Sequence, residues 1–200
     1  EMKRDGLENV HAEKVMVPHW VRGEASGRIV APTPHPMAIL ALGMSDGTKP
    51  EGITAEVVEV KSFDELSTLG DRAKGKIVLF NKPIYANGGE DRGYGSAVGL
   101  RYSGAVAAAK AGAVGMLIRS LATADLRLTH TGAMAYEDGV PRIPAAAIAP
   151  EDAELIHRFL DAAETVKVTF TLSCKTLPNA ESANVIGEIR GSDLPAEVVV

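Results

Sequence analysis

Residues 74–80, KGKIVLF, and residues 102–119, YSGAVAAAKAGAVGMLIR, decide the fold. In the first stretch Gly75 marks a turn and Ile77 to Phe80 are uninterrupted apolar residues, the pattern of a strand buried on both faces. In the second, Ala105, Ala107, Ala108, Ala109 and Ala111 favour a helix that can lie close on a sheet. Gly112 supplies its stop, and Val114 to Arg119 is another buried run. Strand, loop, helix and strand in that order predict two neighbouring parallel strands joined by a right-handed crossover. Between them residues 81–94, with Asn87-Gly88-Gly89 and Gly93, are expected to be loop.

Working outward, Val15 to Val21, Gly27 to Val30, Met37 to Leu42 and Thr54 to Val60 read as strands on the N-terminal side. Pro32 to Pro36 is expected to be a stiff extended loop, because its prolines cannot donate to a ladder. Ser62-Phe63-Asp64-Glu65 has the spacing of a capping box and predicts a short helix ending near Gly70. On the C-terminal side Ile143 to Ile148 reads as a strand. Pro150-Glu151-Asp152 opens a helix with Ile156, Phe159, Leu160 and Ala163 on one face, and Val166 to Leu172 alternates like a half-buried strand. Asn184 to Ile189 and Ala196 to Val200 are two further strand candidates. Layers of sheet, sheet and helix place the chain in the α+β class. The β-branched run Val198 to Val200 reads as a strand cut in mid-course, so a segment of a longer protein is expected.

The 200 residues are 46% hydrophobic and 24% charged, a balance suited to one ordinary globular core. A net charge of −5 without a basic cluster speaks against nucleic-acid binding. Apolar stretches such as Val114 to Ile118 and Pro144 to Ala149 fall far short of the ~20 residues that cross a bilayer. Cys174 stands alone, which excludes an internal disulfide and a thiolate zinc cage.

Chemistry is harder to find. Gly93, Gly95 and Gly99 approximate a dinucleotide fingerprint, but Val98 occupies the third glycine's slot and no strand immediately precedes them, so flexible-loop use is expected. His11, His19, His35, His130 and His157 include no pair at the helical spacing that zinc uses, and His157 reads as a boundary residue. No Gly-x-Ser-x-Gly elbow presents a serine. No catalytic residue and no metal ligand is therefore assigned. The polar run Thr129-His130-Thr131-Gly132, followed by Tyr136-Glu137-Asp138-Gly139, is the best ligand-facing loop, with one titratable imidazole among donors and acceptors.

Lys74 to Leu79, Ala105 to Ile118, Ile143 to Ile148 and Glu151-Asp152-Ala153 resemble, in order and spacing, the protease-associated or "swivelling" β/β/α domain, with mixed sheets and flanking helices. Ile118-Arg119-Ser120, Thr129 to Gly132, Tyr136 to Pro144 and Ser182 to Ile189 resemble more closely the branch of zinc exopeptidases that includes plasma glutamate carboxypeptidase. The resemblance implies a protease-associated domain at 54–172. Residues 1–53 would be strands and loops that link it to a catalytic domain and add to its sheets. Residues 173–200 would be a return linker and the first strands of that catalytic domain. It further implies a secreted or periplasmic parent with two zinc ions outside this segment, which acts as an aminopeptidase or carboxypeptidase on short peptides. The implied role here is a non-catalytic lid, with the catalytic domain of the same chain as partner and a short peptide at the interface, and with room for a homodimer. His130, Thr131, Gly132 and Tyr136 are the substrate-facing candidates, followed by Arg101 and Tyr102. One departure limits the likeness: Asn81-Lys82-Pro83 and a long insertion stand where the domain often has a short Arg-Gly turn. An independent peptide- or protein-binding module is the alternative. A hydrolase built on His130 with a loop carboxylate is disfavoured, because neither nucleophile nor metal set accompanies it.

Overall fold

The computed structural model describes residues 1–123, 126–194 and 197, without the Asp91 side chain. The chain forms two units: Glu1–His19 with the described part of Leu177–Val200, and Trp20–Thr176. The first is built on a two-stranded sheet of β1 (Glu8–Val21) and β10 (Lys175–Glu188). Its side-chain pairs Asn9–Glu188 and Lys14–Glu181 advance along one strand as they recede along the other. Both strands are longer than the sequence pattern suggests. Their outer parts are exposed and polar, and pairing alone holds them extended. The strand expected at Ala196 to Val200 lies outside the described residues.

The second unit carries a mixed eight-stranded sheet in the order β3-β2-β9-β5-β6-β7-β8-β4. Its strands are β2 (Ala25–Ala31), β3 (His35–Pro36), β4 (Ile39–Ala41), β5 (Ile53–Val60), β6 (Ile77–Phe80), β7 (Gly115–Arg119), β8 (Ala145–Ile148) and β9 (Lys167–Leu172). The fold is α+β, as the layers of the sequence suggest. β5, β6, β7 and β8 run parallel, with Val78 beside Met116 and Phe80 beside Ile118, so the strand–helix–strand reading of residues 75–119 holds. β2, β9 and β4 are antiparallel to their neighbours. The sheet curls until the β4 edge returns to β2, where a Cβ on Gly27 would stand 3.2 Å from Ile39.

Alternation along the central strands divides the core. Val78, Phe80, Met116 and Ile118 meet α1 (Phe63–Leu69) and α3 (Gly95–Lys110) on one face. Ile77, Leu79 and Leu117 meet Val168, Phe170 and Leu172 of the curled sheet and Ala153 and Ile156 of α4 (Pro150–Asp161) on the other. α3 lies close on β6 and β7 because of its small residues. A Cβ on Gly104 would come within 2.9 Å of the fully buried Phe80 ring and 3.1 Å of Met116.

Local chemistry sets the ends. Ser62 accepts from the Glu65 N–H at 3.1 Å, and the Glu65 carboxylate reaches back one residue further than expected, to the Lys61 N–H at 2.6 Å. Three expectations are corrected. α3 begins at Gly95, not Tyr102: Gly95 and Gly99 are helical residues with open space where a side chain would go, and burial of Ala97, Leu100 and Arg101 outweighs their ~1 kcal/mol glycine cost. Residues 81–94 are not all loop, since α2 (Gly89–Arg92) makes one helical turn inside them. His35–Pro36 is a two-residue edge strand on β2, the place in a sheet where proline is tolerated.

Candidate functional site

The segments that follow β6 and β7 rise from the carboxyl ends of neighbouring parallel strands, where open parallel sheets form their ligand crevices. Between them lies a cleft of about 600 Å³, walled by Ile84, Tyr85 and Tyr94 on one side and Leu121, Thr123 and His130 on the other. Tyr85 is fixed by its N–H to the Arg92 carbonyl at 2.8 Å, and the Arg92 guanidinium covers its ring at 4.3 Å. The His130 N–H is held by the buried Ser120 hydroxyl at 3.0 Å, which leaves the exposed imidazole edge-on to Tyr94 with ring centres 5.9 Å apart.

Arg101 stands behind Tyr94. Seven residues apart on one helix face, the two meet through a 2.6 Å hydrogen bond from Nη1 to the tyrosine hydroxyl. The guanidinium is packed against Gly132, where a Cβ would lie 2.4 Å from the Arg101 Cζ. A side chain at 132 is therefore incompatible with this arrangement. The Gly132 carbonyl accepts from Gly43 at 2.9 Å, and Met134 donates back to the Gly43 carbonyl at 3.0 Å, which ties the loop to the chain after β4. Arg101, His130 and Gly132 thus come together as one constellation around Tyr94, with Thr131 half-buried between the last two.

The remaining candidates sit elsewhere. Tyr102 is 52% exposed, and its carbonyl accepts from Ala135 at 3.1 Å. The Tyr136 hydroxyl donates to the Ile143 carbonyl at 2.8 Å and accepts from the Asp46 N–H at 2.9 Å, with Arg142 over the ring at 4.3 Å and paired to Asp46 at 3.1 Å. Burial pushes its phenol above the ordinary tyrosine range. Its hydroxyl fastens the 136–143 loop.

Two polar networks escaped sequence reasoning. Glu59 is next to last in β5, Asn81 follows β6 and Arg119 ends β7, on the face toward α4. Asn81 donates to Glu59 at 2.8 Å and accepts from Arg119 at 3.3 Å; Glu154 takes Arg119 at 3.3 Å, and His157 meets Glu59 at 2.9 Å. Register sets Asn81 level with Arg119, one step past the Phe80–Ile118 pair, and Glu59 level with Leu79, two residues back on the same face. Near the start of α4, the fully buried Asp152 accepts from the Ala38 N–H at 2.7 Å and holds Arg127 at 3.2 Å, with His35 at 3.4 Å. Arg127 also donates its own N–H to Glu151 at 2.7 Å, which straps the loop before His130 onto the helix.

Among the described residues no three His, Cys, Asp or Glu side chains come together as metal ligands. What the arrangement offers is an aromatic cleft lined by Tyr85, Tyr94 and His130, with Arg92 stacked on Tyr85 and Arg101 on Tyr94.

No protein-family model matches the chain. It is similar to bovine (Bos taurus) carboxypeptidase Q, with 49% identity over 199 residues, covering 100% of this chain and 41% of that protein. Among solved structures it is similar to a peptidase M28 precursor from Shewanella amazonensis, with 38% identity and a TM-score of 0.88 over 96% of this chain and 43% of that one. A zinc aminopeptidase from Bacillus subtilis shares 22% identity and a TM-score of 0.53 over 96% of this chain and 39% of its own, a likeness of fold alone. The chain spans about two fifths of the curated relatives it matches.

Proposed function

From the premise that this chain is homologous along its whole length to carboxypeptidase Q, of which it spans 41%, we propose that it is the non-catalytic wall of a peptidase active site completed by the rest of a longer chain. The longer chain is read as an exported exopeptidase for short peptides, with two zinc ions in its other part. Zinc held by residues outside this chain would polarise the scissile carbonyl and lower the pKa of an attacking water there. This segment binds and orients the peptide, narrows the approach and excludes water; no bond is broken by its own residues. The partner is the catalytic part of the same chain.

The observation that carries the reading is the cleft at the carboxyl ends of β6 and β7, where the 81–94 insertion and the His130 loop form opposed walls. The Arg127–Asp152 strap and the Gly43–Gly132 and Ser120–His130 hydrogen bonds hold one wall in place, which suits a gate of fixed width. The test is size selectivity. Replacing residues 84–92 of the longer chain by a short Gly-Ser turn is expected to raise hydrolysis of pentapeptides relative to dipeptides by about tenfold, roughly the 1.4 kcal/mol scale of a removed steric restriction. An unchanged ratio with unchanged dipeptide turnover would remove the gate from the account.

A further inference from the structure

Asp152 lies in the first turn of α4, is 1% exposed, and is shared by two bases. Its Oδ2 accepts from the Ala38 N–H at 2.7 Å, so Oδ1 is the oxygen left for side chains. The Arg127 Nη2 stands 3.2 Å from Oδ1 and the His35 Nε2 3.4 Å from it, and the two nitrogens are 3.3 Å apart. An uncharged imidazole with a bare Nε2 accepts from the guanidinium in this arrangement and leaves the carboxylate to one cation. An imidazolium has donors alone. Nε2 then turns a hydrogen toward Oδ1 and a positive charge toward the guanidinium, and two cations compete for a single buried oxygen.

The structure decides which of them yields. His35 is fixed in the edge strand β3, level with Ile29 of β2. Arg127 sits on a loop with its side chain half exposed and its backbone at φ +47°, the left-handed region that is costly for a residue with a Cβ. Its neighbours Leu126 and Leu128 are 67% and 63% exposed, so little apolar burial holds the loop down. Among the described residues, the hydrogen bonds that tie residues 126–129 to the rest of the unit all come from Arg127. Its guanidinium reaches Asp152, His35 and the Pro36 carbonyl, and its N–H reaches Glu151 at 2.7 Å. The charged groups around His35 are thus Asp152 and Glu151 of α4 and Arg127 of the loop, while Arg28 of β2 stands opposite Pro36, on the other face of the pair of strands.

We infer that residues 126–129 are an acid-opened strap: protonated His35 takes Oδ1 of Asp152, expels the Arg127 guanidinium and lets the strained stretch relax. The sign follows from charge. His35 takes up a proton more readily once the guanidinium has left, so proton binding and strap opening favour one another. The His130 N–H stays on Ser120 and the Gly132 carbonyl on Gly43, so what is freed is the stretch between Thr123 and His130, two residues that line the cleft. The consequence for peptides, a gate whose width depends on pH, rests on the wall reading above; the strap itself does not.

The test is an NMR titration of the 200-residue chain from about pH 8 to about pH 5, the range in which imidazoles gain their proton. The His35 Cε1–H shift reports protonation, and the backbone amides of Arg127 and Leu128 report the strap. The amide shifts are expected to follow the His35 curve. Exchange of the Arg127 amide, corrected for its intrinsic pH dependence, is expected to become about tenfold faster across that curve. H35Q keeps a polar side chain that does not titrate and is expected to remove both responses. R127Q is expected to move the His35 midpoint upward, because linkage is reciprocal. Unchanged or greater protection in acid, a loop response retained in H35Q, or a His35 midpoint unmoved or lowered in R127Q would each overturn the inference. The first of these is read on the unaltered chain and needs no variant to fold. In the longer chain the ratio of pentapeptide to dipeptide hydrolysis is expected to rise about threefold over the same titration and to stay flat in H35Q, the ratio cancelling the pH dependence of the chemistry itself. A flat ratio in the unaltered longer chain, with the amides responding as expected, would remove the wall reading and leave the strap standing.

Discussion

Two largely buried arginines sit on opposite faces of the same sheet and are treated in opposite ways. Arg119, at the end of β7, has a side chain 15% exposed, and Asn81 and Glu154 receive its Nη1 while Glu59 and His157 complete the row. Arg101, in α3, is 9% exposed, and the Tyr94 hydroxyl is its one partner among the described residues. The first cation is satisfied by the fold and ties α4 to the strand ends. The second is packed between Tyr94 and Gly132 with one neutral acceptor among the described residues. A buried polar group whose partners all come from the fold ties elements together, whereas one with few partners carries a desolvation cost.

Substitutions around each cation should separate these roles, and the largest effect belongs to the closed network. Asn81→Ala strips partners from both Glu59 and Arg119 and is expected to lower stability by about 2–3 kcal/mol, read from denaturant midpoints at constant slope. Gly132→Ala comes next: the added Cβ would fall 2.4 Å from the Arg101 Cζ, and displacing that packed group is expected to cost about 1–2 kcal/mol. The smallest effect on stability is expected from Arg101→Met, within about 1 kcal/mol of the parent and of either sign, because a buried, poorly compensated charge gives way to an apolar side chain of similar length. If Arg101→Met proved as destabilising as Asn81→Ala, the contrast between the two arginines would collapse.

A pH experiment sharpens the contrast between loops. The Tyr136 phenol is raised above its ordinary range chiefly by burial. A raised folded value means that its contribution to stability is fully present below the unfolded value, about 10, and is lost as pH rises through the folded one. Stability is therefore expected to hold to about pH 10 and then fall, and Tyr136→Phe is expected to flatten that alkaline decline. A decline of equal steepness in the variant would mean that Tyr136 does not fasten the 136–143 loop.

Most of the fold was legible because its signals are local. KGKIVLF, the alanine-rich run and the capping box each specify an element within a few residues, and the crossover rule assembles them. What escaped was decided by tertiary burial. Gly95 and Gly99 join a helix because Ala97, Leu100 and Arg101 are buried by what packs on them, and no propensity shows that. At the site, His130, Gly132 and Arg101 were readable as candidates, but Tyr94, the ring that joins them, was not singled out. Its i, i+7 relation to Arg101 has meaning only once the helix is known to start before residue 102. The Glu59–Asn81–Arg119 row needed strand register, which is a property of the sheet.

The most direct test of the central claim, that this segment supplies a wall and not the chemistry, is zinc content measured with dipeptide hydrolysis for the 200-residue chain and for the longer chain that contains it. The account expects about two zinc ions and turnover in the longer chain alone. Stoichiometric zinc or turnover in the 200-residue chain would contradict it, and would turn attention to His130 and the groups around the cleft.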